Sequence, residues 1–148
     1  LLAARIVNSR GEPIHECRID ELFWVEMEYE LLQDGLCVFP NIHVKDAFGR
    51  YVFCTTDANI DKNSSMKQKS GKYLSRCQIP PNLLNSETYH MGFALTDASN
   101  FQVHFFEQDL LFVTISDPIE GIITRVSCHA GPIAGSVRPF LHWELHRE

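Results

Sequence analysis

Along most of this 148-residue chain, apolar and polar positions change places at every step. Val38, Pro40, Ile42 and Val44 form one such row, Tyr73, Ser75, Cys77 and Ile79 a second, and Tyr89, Met91, Phe93 and Leu95 a third. A period of two sends alternate side chains to opposite faces of a β-strand. Residues 22–33 are ambiguous alone: Val25, Met27, Tyr29 and Leu31 alternate with Glu26, Glu28 and Glu30, yet Leu22, Val25, Tyr29 and Leu32 also fit a helical stripe, and glutamate favours helices. The neighbouring segments decide for a strand. Residues 46–50, with Gly49, read as a hairpin turn between strands at 38–46 and 51–55. Strands follow at 71–79 and 88–96, separated by Pro80, Pro81 and Asn82, which leave Leu83 and Leu84 to close one end of the core. Residues 102–106 and 110–115 read as two further strands, parted by Glu107, Gln108 and Asp109. At the terminus Val137, Pro139, Leu141, Trp143 and Leu145 alternate as a last strand that must be tied into a sheet, since undocked ends fray. Pro139 has no amide donor, which puts that strand at an edge or a bulge. About eight short strands with turn signals between them predict an all-β chain, an antiparallel β-sandwich forming a single domain over 1–148.

Composition narrows the function classes. Nineteen acids against thirteen bases give a net charge of −6, and the bases are scattered, which argues against a nucleic-acid surface. The longest apolar run, 109–116, is far short of the roughly 20 residues that span a bilayer. The start at Leu1 and Leu2 reads as a cut from a longer polypeptide. Cys17, Cys37, Cys54, Cys77 and Cys128 are spread through apolar patterns with no CxxC pair, so they read as buried reduced thiols rather than a zinc site. The connection from Thr56 to Ser70 is long and polar, and reads either as a functional loop or as a disordered one.

Catalytic chemistry is not indicated. The sequence contains no phosphate-cradling loop, nucleophile elbow or HExxH helix. Cys128 and His129 are adjacent, so on a strand they point to opposite faces and build no dyad. His43, His90 and His104 would form a metal site only if register brought them together, and solvent-facing strand histidines are the commoner case. Glu26, Glu28 and Glu30 lie along one strand face and do not oppose each other across a cleft, as glycoside cleavage requires. They need no role beyond solubility. Parity leaves an outward face: with Ile42, Val44, Val52 and Cys54 inward, His43, Lys45, Tyr51, Phe53 and Thr55 point out, as do Arg76, Gln78, His90 and Thr96. Gly92 and Ala94 lie between His90 and Thr96, so this face is expected to be low in the middle and polar at its borders. That suits a sugar chain, whose hydroxyls need planar donors and acceptors and whose C–H faces need rings; an ordinary half-exposed sheet face is the alternative.

The order of segments resembles a known family. The opening strand, the Val25–Glu30 alternation, Ile42–Asp46 with Gly49, the Gly71–Tyr73 start, Ile79 and Pro80 with Leu83 and Leu84, Thr88–Leu95, and the closing Val137, Arg138, Pro139 with His142, Trp143 and Glu144 resemble the C-terminal domain of Wzt, the nucleotide-binding subunit of O-antigen ABC transporters. The resemblance implies an immunoglobulin-like sandwich, not an enzyme, that binds the finished O-antigen polysaccharide and couples it to export. It implies no cofactor, leaves ATP hydrolysis to an N-terminal domain outside this sequence, and places the protein in the cytoplasm against the inner membrane through the transporter's membrane subunit. It also implies a homodimer in which Val137, Pro139, Leu141, Trp143 and Leu145 cross to the partner, with 130–135 as hinge; a terminal strand folding back on its own sandwich is the plainer alternative. Glycan contacts are then expected at His43, Lys45, Phe53, Thr55, Arg76, Gln78 and His90, with Asp57 and Asn59 from the long loop. A dimerisation or docking module without a glycan site is the alternative.

Overall fold

The computed structural model describes residues 1–57, 67–126 and 128–147. Among them are eight strands: β1 (Ala3–Val7), β2 (Glu16–Arg18), β3 (Phe23–Leu31), β4 (Val38–Lys45), β5 (Tyr51–Thr56), β6 (Gly71–Ile79), β7 (Thr88–Asp97) and β8 (Val103–Ser116). They form a three-stranded sheet in the order β1-β3-β6 and a five-stranded sheet in the order β2-β8-β7-β4-β5. The predicted sandwich is thus present. It is antiparallel except where β2 runs parallel to the end of β8, Glu16 opposite Thr114. The ambiguous 22–33 segment is a strand, and it is the centre of the small sheet.

The inward rows meet between the sheets. Phe23, Val25, Met27 and Tyr29 from β3 pack with Tyr89, Met91, Phe93 and Leu95 from β7 and with Val44 and Val113. Each such fully buried side chain contributes about 1.5–3 kcal/mol by leaving water. Leu84 is buried and Leu83 packs beside it, closing one end as expected. At the same end the Tyr89 hydroxyl donates to the carbonyls of Asn85 and Ser136, at 3.0 and 2.7 Å.

Two expectations are corrected. The segments 102–106 and 110–115 are one strand, because the residues after Glu107 bulge rather than turn: Met91 pairs with Leu111 and Phe93 with Glu107, leaving Gly92 opposite Gln108, Asp109 and Leu110. The terminal segment forms no strand on its own sandwich. Val137 bridges Leu84 and the Arg138 amide donates to Leu83, but Pro139 has no amide to continue the ladder. Beyond it Leu141 is exposed, Trp143 is 87% exposed and Leu145 99%. The thiols also divide: Cys17 is buried, Cys37 and Cys77 are half-buried, and Cys54 and Cys128 are exposed, all unbridged.

Candidate functional site

The turn after β4 forms as expected, with the buried Asp46 carboxylate accepting from the amides of Phe48 and Arg50 and from the Arg50 guanidinium. The hairpin it closes is irregular. Val44 pairs with Phe53 and Lys45 with Tyr51, so Val52 is an extra residue on β5. One inserted residue reverses the two-residue phase beyond it. Phe53 and Thr55 therefore share the inner side with Val44 and Ile42, and Cys54 lies outside beside His43, its Sγ 3.2 Å from Nδ1. The outward assignment of Phe53 and Thr55, and the inward one of Cys54, are corrected. Phe53 packs against the core.

The predicted contact residues divide between two surfaces. His43, Lys45 and His90 lie on the outer face of the large sheet, where Lys45 and His90 are register partners and His43 faces Gly92. Arg76 and Gln78 lie on the outer face of the small sheet, opposite Glu26 and Trp24. Asn59 falls outside the described residues. The expected trough over Gly92 and Ala94 is filled: a Cβ at Gly92 would stand 2.9 Å from the Glu107 carbonyl oxygen, and Ala94 and Thr96 are buried. The β8 bulge also ties down Lys45, whose side chain is 12% exposed and whose Nζ meets Gln108 at 3.2 Å and Asp109 at 3.2 Å. His43 sits 4.8 Å from the Phe106 ring, and burial, then the Lys45 charge, hold its imidazole below the usual value, hence neutral at pH 7. This face is occupied by its own side chains.

A concave site lies elsewhere. β5 and β6 are the last strands of their sheets on one side of the sandwich, and between them opens a cleft of about 530 Å³. Its floor is Val25, Met27, Pro40 and Ile42, and its walls carry Thr55, Thr56, Asp57, Ser75, Arg76 and Gln78. The hairpin bulge is what turns Thr55 into it. Arg76 is held from behind: its Nε donates to Glu26 at 2.7 Å and its guanidinium lies 4.7 Å over the Trp24 ring. Glu26, expected to be a solubilising surface residue, is 6% exposed because Arg5 of β1 and Arg76 of β6 grip it from both sides. On the inner wall, burial and then the Asp57 charge push the Cys77 thiol up, so it stays protonated. Residues bearing hydroxyl, amide, carboxylate and guanidinium groups thus line one cleft with an apolar floor, Arg76 and Gln78 at its rim on β6, an assortment able to exchange hydrogen bonds with several hydroxyls beside a C–H face. Four predicted contact residues meet here: Thr55, Asp57, Arg76 and Gln78. Thr56, Ser75 and Glu26 were missed, although a serine in the inner row of β6 was a legible signal.

Among the described residues no three His, Cys, Asp or Glu side chains are grouped to hold a metal ion. No described helix is long and apolar enough to cross a membrane. No protein-family model and no curated protein matches the chain. A Bacteroides uniformis β-glucuronidase overlaps in part, at 7% identity over 68% of this chain and 12% of its own, with a TM-score of 0.46. The crystal structure of the C-terminal domain of Wzt aligns over 99% of this chain and 83% of its own, at 12% identity and a TM-score of 0.75. The resemblance met in the sequence is borne out in three dimensions, and the chain shares the β-sandwich fold of the Wzt C-terminal domain.

Proposed function

We propose that this chain is a non-enzymatic polysaccharide-binding domain of an O-antigen ABC exporter, and that the β5–β6 cleft holds the glycan. The carrying observation is that Thr55, Asp57, Arg76 and Gln78 line one cleft together with Val25, Met27, Pro40 and Ile42. The fold it shares with the Wzt C-terminal domain supports the exporter context. In that setting the domain works in the cytoplasm at the inner membrane, held there by the rest of the transporter. Calorimetric titration with defined O-antigen oligosaccharides tests the site. Arg76→Ala should weaken binding at least about tenfold, the loss expected when a charged hydrogen-bond donor is removed from a partly desolvated site, and His43→Ala should leave it within about twofold. The reverse pattern would move the glycan to the outer face of the large sheet, and a flat titration with full-length glycan would favour a docking module.

The same reading makes the protein a homodimer through an exchanged terminal strand. Two exposed surfaces support this. Leu141, Trp143 and Leu145 are exposed, and among the described residues a strand pairs with the outer edge of β8 only at Thr114–Ser116, while Val103, Leu110 and Phe112 are exposed further along it. Deleting residues 140–148 should convert a dimer into a monomer in sedimentation velocity while leaving the thermal midpoint within about 2 °C, since the large apolar side chains removed (Phe140, Leu141, Trp143 and Leu145) are exposed in their own chain. A dimer that persists without the segment would place the interface elsewhere.

A further inference from the structure

The bulge in the β4–β5 hairpin has a second effect besides turning Thr55 into the cleft. With Val52 inserted, Cys54 stands on the outer face of the large sheet as the register partner of His43. Its thiol is exposed, and Sγ lies 3.2 Å from His43 Nδ1. The imidazole is half-buried and held among rings, with Phe106 at 4.8 Å and Tyr51 at 6.0 Å between centroids. Burial and then the charge of Lys45, itself paired with Asp109, keep His43 uncharged at pH 7. With its hydrogen on Nε2, such a ring accepts the S–H proton at Nδ1. The other thiols lack this arrangement. Burial first, then nearby carboxylates, raise Cys17 to about 11, burial raises Cys77 as well, and Cys37 is half-buried. Cys128 is exposed, but among the described residues no group hydrogen-bonds to its thiol.

We infer that Cys54, with His43 as its base, is a modification site of this chain, taken by small disulfides such as glutathione disulfide. The Cys54 S–H proton passes to His43 Nδ1, the sulfur attacks one sulfur of the small disulfide, and the S–S bond of that disulfide breaks. Cys54 is left in a mixed disulfide, and the departing thiolate takes the proton back from His43. The small disulfide is the oxidant, and it leaves as one thiol. An unassisted thiol is only a few per cent thiolate at pH 7, so a base in hydrogen-bond contact has room to raise the rate. Access favours the same residue: β5 is the last strand of its sheet, so a small molecule reaches Cys54 without displacing a neighbouring strand. Cys54 faces away from the cleft that Thr55 enters, and the inference stands apart from the glycan reading.

The test is a time course of the reduced whole chain with glutathione disulfide at pH 7, quenched in acid and read at each cysteine by peptide mass spectrometry. Cys54 should form its mixed disulfide at least about tenfold faster than Cys128, a gain within the reach of a positioned general base. His43→Gln, which keeps a polar side chain but cannot take the proton, should bring the two sites within about threefold of each other. His43→Asn serves if His43→Gln does not fold. The wild-type ratio is read within one molecule, so differences in protein concentration or reagent cancel. A Cys54 rate no faster than that of Cys128, or a preference that survives loss of the imidazole in a folded variant, would overturn the inference.

Discussion

Asp117→Asn should lower the free energy of unfolding by about 3–5 kcal/mol, the largest loss expected from any single polar substitution in this chain. The Asp117 carboxylate accepts from Arg125, through both Nε and Nη2, and from Arg138 Nη1 at 2.8 Å. The three side chains are 4–6% exposed. An amide keeps the shape but leaves two guanidinium groups buried without a counter-charge, and Arg138 has few alternatives: its Nε already donates to Thr124, and its Nη2 is buried with no partner among the described residues. The thermal midpoint should fall by about 10 °C or more for a chain of this size. The same carboxylate predicts an acid limb. Burial pushes it up, but the hydrogen bonds from Arg125 and Arg138 more than offset that and hold it down at about 2. A carboxyl depressed in the folded state stabilises above its unfolded value, near 3.8, and that stabilisation is lost as pH falls toward 2. Wild type should thus lose about 2 kcal/mol between pH 4 and pH 2 that Asp117→Asn does not lose, read from urea melts at each pH. Parallel slopes in the two proteins would mean that the pair is not formed. The cluster matters to assembly as well: it pins the chain at Arg138, immediately before Pro139 and the exposed terminal segment, and so sets where that segment leaves the sandwich.

The strands were legible because their cause is local. An inner row such as Tyr89, Met91, Phe93 and Leu95 can bury itself only if the backbone is extended, and β6 begins and ends where alternation puts it, at Gly71 and Ile79. The site was legible as a set of residue types and not as a place. Parity is carried along a strand by counting, and one inserted residue, Val52, reversed the count for Phe53, Cys54 and Thr55. The trough over Gly92 looked open because a glycine has no side chain. What fills it is backbone from β8, which no pattern within β7 can announce. Glu26 looked solvated because its partners, Arg5 and Arg76, lie 21 and 50 positions away in the chain and meet it only across the sheet. Faces of a strand are local information, and pairing between strands is not. The cleft exists because β5 and β6 end their sheets on the same side, a property of strand order.

Gly92→Val should cost about 3 kcal/mol, for a reason that has nothing to do with turns. Gly92 is not among the glycines with positive φ, so a side chain there meets no backbone strain of its own. Its added Cβ would stand 2.9 Å from the Glu107 carbonyl oxygen, 3.3 Å from Gln108 Cα and 3.5 Å from Asp109 N. All three are backbone atoms of β8 at or beside the bulge, so relief requires moving the strand and not rotating a side chain. The bulge has little slack, since Asp109 is already in the left-handed region at φ 51° and both flanking pairs, Met91 with Leu111 and Phe93 with Glu107, are laddered. Lifting it should free Lys45 from Gln108 and Asp109 and speed amide exchange through residues 105–111. The consequence separates the two candidate surfaces. The β5–β6 cleft takes no residue from β7 or β8, so at a temperature where the variant remains folded its glycan affinity should match wild type within about twofold, whereas a site over His43 and His90 would lose its floor. Affinity that falls with the bulge, in a protein still folded by near-ultraviolet dichroism, would carry the binding site back to the large sheet.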